Sequence, residues 1–325
     1  MGGAVYMRYP LINRFQGTFL GALLGELLAQ NPAQQDNNIG SEVSQILVLV
    51  TKSLIEDSKL DINNWRESQP MKSWDLNITV SLFPKAMIAT LPVAVFFHEN
   101  TRKLRQNLLT IVTKWDDDPV LRDSTLALGY AIAQCLSEKL HPRSIIDEII
   151  AFIGETPTPL PQKLLKVKDL LAQGSALETA QTELGREQQL IHALCMGFYC
   201  FLSTLEDLPL AVLRATHHDK SGRRETQNLD VAISSIITGA LSGAYNTNLG
   251  IPAKWQVMLC PNNFTPGEQT NFSQVLELAD ALVAVWSGVY DPALHFQEYL
   301  EEGCVRYQQQ PQLCVFASPR VIQSR

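Results

Sequence analysis

The sequence predicts an all-α fold, and three observations predict it. Apolar residues recur at helical spacing along nearly the whole chain. Alternating strand-like stretches joined by hairpin signals are scarce. Two of the helical stretches carry small residues four apart, Gly17, Gly21 and Gly25 in the first and Gly239 and Gly243 in a late one.

In chain order, the spacing predicts helices over Leu11–Ala29, Ser44–Glu56, Pro84–His98, Thr101–Lys114, Val120–Glu138 and Pro142–Ile153. It predicts further helices over Pro161–Ala172, Ala176–Glu183, Gln188–Leu202, Leu208–Thr216, Val231–Asn246 and Phe272–Trp286. A glycine inside a helix costs roughly 0.5 to 1 kcal/mol relative to alanine, so the glycine helices need a compensating gain. Close approach of packed helix backbones supplies one. The same spacing occurs in membrane helix dimers, but Arg14, Gln16, Asn246 and Asn248 argue for a water-soluble core.

The proline-rich stretch at 154–160, GETPTPL, reads as a loop between helices, because helical sequence resumes at Pro161. No repeat of fixed period is visible. We therefore expect one domain over 1–325, with 306–325 as a flexible tail or interaction segment.

Bulk composition narrows the function classes. With 46% hydrophobic and 18% charged residues the chain has globular composition. A net charge of −7 argues against a general nucleic-acid binder, which needs a basic surface to displace counterions. The six cysteines form no CxxC pair and lie mostly in apolar runs, as buried thiols of a reducing compartment do. The first residues lack the pattern of a signal peptide, and no apolar run is long enough to span a membrane. The expected location is the cytoplasm, with no membrane partner.

Four blocks carry a more specific signal. They are RFQGTFLGALLGELL at 14–28, GSEVSQILVLVTKSLIE at 40–56, AMIATLPVAVFFHEN at 86–100, and ITGALSGAYNTNLGIPAKW at 237–255. In that order and at that spacing, they resemble the signature blocks of the ADP-ribosylglycohydrolase family. The resemblance implies an all-α multi-helix bundle that hydrolyses the bond joining ADP-ribose to a protein side chain or a related compound. It also implies two Mg²⁺ or Mn²⁺ ions, which take oxygen ligands and can orient a water and neutralise developing charge.

Family members supply those oxygens from a Ser/Thr-Asp-Asp triplet and a late Asp-x-Asp-Ser/Thr motif. Here the triplet aligns with Ser41-Glu42-Val43, and the late motif with Asp230-Val231-Ala232-Ile233. Ser41, Glu42 and Asp230 keep an oxygen, whereas Val43, Ala232 and Ile233 do not. Two close divalent ions without paired carboxylates are electrostatically unfavourable. The family's Gly-Asn-Gly turn aligns with Phe83-Pro84-Lys85, which adds bulk and removes an amide donor. Its Thr-His-x-Asp-Pro segment aligns with Trp115 to Pro119, which keeps Asp118-Pro119 and lacks the histidine. Its Gly-Asp has become Gly25-Glu26.

Plainer roles exist for several of these residues. Ser41 can cap a helix beginning near Ser44, and Asp116-Asp117-Asp118 can face the positive end of the next helix. His217-His218-Asp219 and the basic Lys220, Arg223 and Arg224 read as a solvated loop, with a transition-metal or pyrophosphate site as the sharper alternative. Cys195 and Cys200 read as core.

The leading expectation is a non-catalytic member of the family that binds a protein partner or an ADP-ribosyl-type small molecule and needs no cofactor. The alternative is a hydrolase using one Mg²⁺ or Mn²⁺ ion on Ser41, Glu42 and Asp230, with Glu26 and Glu42 as its catalytic carboxylates.

Overall fold

The structure is a computed structural model that describes residues 10–29, 38–57, 79–115, 118–185, 188–217, 226–259 and 272–289. The all-α expectation holds. Helices α1 (Leu11–Ala29), α2 (Asn38–Asp57), α3 (Thr79–Phe96), α4 (Thr101–Trp115), α5 (Pro119–Leu136) and α6 (Ile145–Ile153) form the first half. They are followed by α7 (Leu160–Ala172), α8 (Leu177–Leu184), α9 (Gln189–Ser203), α10 (Leu208–Ala215) and α11 (Thr226–Asn246). A 3-10 turn over Asn248–Gly250, α12 (Ala253–Met258) and α13 (Phe272–Ser287) complete the described residues, which contain no strand.

The glycine helices are the centre of the molecule. Helix α1 runs antiparallel to α11, with Gly17 against Gly243, Gly21 against Gly239 and Gly25 against Ser235. A β-carbon built on any of these glycines would fall inside the partner's backbone. The contact that repays the glycines' cost is thus made between the two glycine helices themselves. Around this pair, α3 and α5 pack on each other and touch both central helices, while α13 packs on α1 and α2. Helices α9 and α10 pack on α11, α7 and α8 pack on α9, and α4 covers α3 and α5. Buried side chains from Phe15 to Val285 belong to one continuous apolar cluster. Each fully buried Phe or Leu in it, such as Phe19, Leu24 or Phe198, contributes roughly 1.5 to 3 kcal/mol.

Helix α2 begins at Asn38, so Ser41 lies inside the helix and does not cap it. Helix α3 begins at Thr79, which puts Phe83, Pro84 and Lys85 on a helix rather than in a turn before one. Pro84 and Pro92 both sit within α3. Each forfeits a backbone hydrogen bond, and burial of the surrounding apolar residues Phe83, Met87 and Leu91 offsets that loss. Helix α11 starts at Thr226, so Asp230 is helical as well. Helix α6 starts at Ile145, after a turn at Pro142–Ser144, and both the 3-10 turn and α12 are additional to the sequence expectation.

The loop at 154–160 joins α6 to α7 and is pinned from below. Asp123 of α5 is completely buried and accepts hydrogen bonds from Thr156 and, at 2.6 Å, from Thr158 Oγ1. Arg122 Nε donates to the same carboxylate at 3.0 Å. Among the described residues no helix is long and apolar enough to cross a membrane. The expected tail, 306–325, lies outside the described residues.

Candidate functional site

The register of the central pair locates the residues singled out by sequence. Glu26 follows Gly25 near the C-terminal end of α1 and lies level with Ser234 of α11. Asp230 is four residues before Ser234, about 6 Å farther along the axis and past the end of α1. Glu26 and Asp230 therefore belong to the same end of the same helix pair. Glu26 is only 4% exposed, and its Oε1 has no hydrogen-bond partner. Burial pushes its carboxyl up from the ordinary 4.5 to about 8, so the group holds its proton at neutral pH. Asp230 is half-buried.

Ser41, Glu42 and Val43 occupy the first turns of α2, a helix that packs on α3, α13 and α1. Their side chains lie outside the described residues. Among the described residues, no three His, Cys, Asp or Glu side chains gather closely enough to hold an ion. The Glu42 side chain is not among the described ones.

The positions where the resemblance implies lost ligands can be placed in part. Ile233 is fully buried in the apolar cluster and Ala232 is half-buried, both on α11 less than a turn from the level of Glu26. Phe83 is 2% exposed and belongs to the same cluster. Here α3 offers apolar packing where a glycine turn would offer free amides.

Asp118 is the N-cap of α5: its Oδ1 accepts from Val120 N at 2.9 Å, and Pro119 opens the helix. This is the capping role read from sequence; Asp116 and Asp117 lie outside the described residues. So do His218 to Arg224, including most of the histidine and basic loop. Cys195 and Cys200 are fully buried, and burial pushes both thiols up to about 12. Thiols held neutral in this way are inert packing groups.

Two polar features carried no local sequence signal. The Asp123 cluster joins residues more than thirty positions apart. At the other end of α1, Arg14 is 9% exposed and donates from Nη1 to Tyr245 O at 2.8 Å, Ala244 O at 3.0 Å and Cys135 O at 3.4 Å. Its Nη2 faces Glu138 at 3.4 Å. One guanidinium thus meets the last-turn carbonyls of both α5 and α11.

Comparison with known proteins bears on this arrangement. Seven solved chains are similar. One of them, described as an ADP-ribosylglycohydrolase-related protein complex, superposes with a TM-score of 0.54 at 15% identity, covering 84% of this chain and 97% of that one. At that identity the likeness speaks to the fold alone. No curated protein matches the chain. The profile of the ADP-ribosylglycohydrolase family matches residues 30–292, which takes in α2 to α13 and begins just after α1. With a match over most of its length, this chain belongs to the ADP-ribosylglycohydrolase family.

Proposed function

We propose that this family member is a non-catalytic binding or regulatory protein that recognises an ADP-ribosyl-type ligand or a protein partner without a metal pair. The observation that carries this reading is the chemistry of the donor set. Of the positions that would ligate two ions, Val43, Ala232 and Ile233 have no oxygen to give. Ile233 is moreover committed to the apolar core. Mg²⁺ and Mn²⁺ hold to oxygen ligands, and two such ions a few ångströms apart need carboxylates between them. The residues present do not fit a dinuclear centre.

A second reading is favoured by Glu26. A buried carboxyl with an unmet oxygen and a value near 8 can exchange a proton at neutral pH, as a general acid or base must. On that reading Ser41, Glu42 and Asp230 hold one Mg²⁺ or Mn²⁺ ion, and Glu26 and Glu42 serve the hydrolysis of an ADP-ribosyl bond.

Calorimetric titration of the full chain with ADP-ribose, with Mg²⁺ and with EDTA, separates the two. The binding role predicts the same affinity in both buffers and no release of ADP-ribose from an ADP-ribosylated protein. Binding or release that requires Mg²⁺, and that Asp230→Asn abolishes, would overturn it in favour of the enzyme.

A further inference from the structure

The large apolar side chains that the described residues leave in solvent are not scattered. Of seven, five lie between Leu210 and Met258: Leu210, Leu213, Leu249, Val257 and Met258. A single exposed leucine needs no explanation, but a group of them marks a surface that another segment covers.

Three of the five share one face. Helix α10 buries Leu208, Ala211, Val212 and Ala215 and packs on α9 and α11. Its opposite side carries Pro209, Leu210 and Leu213, spaced three and four residues apart from Leu213. The 3-10 turn extends that face past the start of α10. Pro209 and Leu249 line the same concave surface there, and a β-carbon built on Gly250 would stand 3.7 Å from the Leu208 side chain. Leu213 is 52% exposed and Leu249 64%. Glu206 and Asp207, the cap of α10, stand exposed at the edge of the face.

Three observations name what covers it. The first is reach. The sequence continues through 290–325 after α13, and Gln16 ties α13 to the 3-10 turn: it donates to Asp280 Oδ1 and accepts from Asn248 Nδ2, each at 2.6 Å. Val289 is about 14 Å along the helix direction from Asp280, and the chain from Val289 to Leu313 can span up to about 80 Å. The second is chemistry. Residues 306–325 combine the apolar run Leu313 to Ala317 with Arg306, Arg320 and Arg325 and contain no aspartate or glutamate, in a chain whose net charge is −7. An apolar face edged by Glu206 and Asp207 suits such a segment. The third is the family match, which ends at 292 and so leaves 306–325 outside the shared fold.

We infer that residues 306–325 strap back over this face of the same chain. Leu313, Val315 and Phe316 meet Leu210, Leu213 and Leu249, and the arginines lie toward Glu206 and Asp207. The inference does not depend on what happens at the Glu26 end.

Cys314 supplies a native probe, because a disulfide forms only where two α-carbons come within about 7 Å. In the full chain with Cys260→Ser and Cys304→Ser, Leu213→Cys and Leu249→Cys are each oxidised mildly, and the links are identified by peptide mass mapping. Each introduced thiol should join Cys314 of its own chain, about tenfold faster than the thiol of Leu165→Cys, a 44% exposed position on α7. Phe316→Asp should slow the link about tenfold and Glu206→Lys about threefold, with thermal melts verifying that the variants are folded. The inference is overturned if linking is no faster than from Leu165→Cys, if neither Phe316→Asp nor Glu206→Lys slows it, or if Cys314 joins the introduced thiol only of a second chain.

Discussion

The two ends of helix α1 treat their buried ionisable groups differently. At one end, Arg14 places Nη1 on three backbone carbonyls and Nη2 on Glu138, and only its Nε lacks a partner. At the other, Glu26 is as deeply buried and leaves one oxygen with no partner at all. Both groups ride on the same rigid, glycine-packed helix, so the difference is not one of looseness. Arg14 is a bolt that closes two helix ends. Glu26 is a carboxyl one of whose oxygens the fold leaves unmet.

The rigidity on which that contrast depends gives the largest expected effect. Gly21→Val would drive a branched side chain into the Gly239 backbone, and neither main chain can retreat. We expect a loss of more than about 4 kcal/mol in urea-unfolding stability, or no folded protein. A loss under about 1 kcal/mol would mean that the central contact is not as tight as described.

Arg14→Ala comes next. It strips donors from the carbonyls of Ala244 and Tyr245, and we expect about 3 kcal/mol of destabilisation by the same measurement.

Glu26 should behave differently, through pH. Below its unfolded value near 4.5 the proton is bound in both states and the group is neutral in its effect. As pH rises toward the folded value near 8, the unfolded chain releases the proton first, so the wild type loses stability across that window. Glu26→Gln removes this loss. The variant should match the wild type at pH 4 and exceed it by about 2 to 3 kcal/mol at pH 9 in metal-free buffer. Equal stability at both pH values would place Glu26 among ordinary solvated carboxylates.

The smallest effect belongs to Asp118→Ala, which removes one cap hydrogen bond and should cost about 1 kcal/mol. A role as cap alone predicts the same cost with and without added Mg²⁺.

These residues also show what a sequence reveals and what it hides. The glycine helices were legible because their cost is local and their remedy, a partner with equally small residues, is written elsewhere in the same chain. Helix α1 was placed to the residue, and α4, α7, α9 and α10 to within one or two. The starts of α2, α3 and α11 were set too late, because Ser41, Pro84 and Asp230 resemble helix openings while tertiary packing extends the helices past them. Glu26 was visible through the Gly25-Glu26 pair. Its unmet oxygen was not, since burial is set by neighbours far along the chain. Arg14 and Asp123 were opaque for the same reason: Glu138 stands 124 residues from Arg14, and Thr156 stands 33 from Asp123.

The central claim is that this family member lacks a dinuclear metal centre at the Glu26 end. Its most direct test is a crystal structure of the full chain grown in Mn²⁺ and measured for anomalous scattering. The account predicts no pair of manganese peaks between the start of α2 and Asp230. Two peaks there, a few ångströms apart and ligated by Glu42 and Asp230, would contradict it.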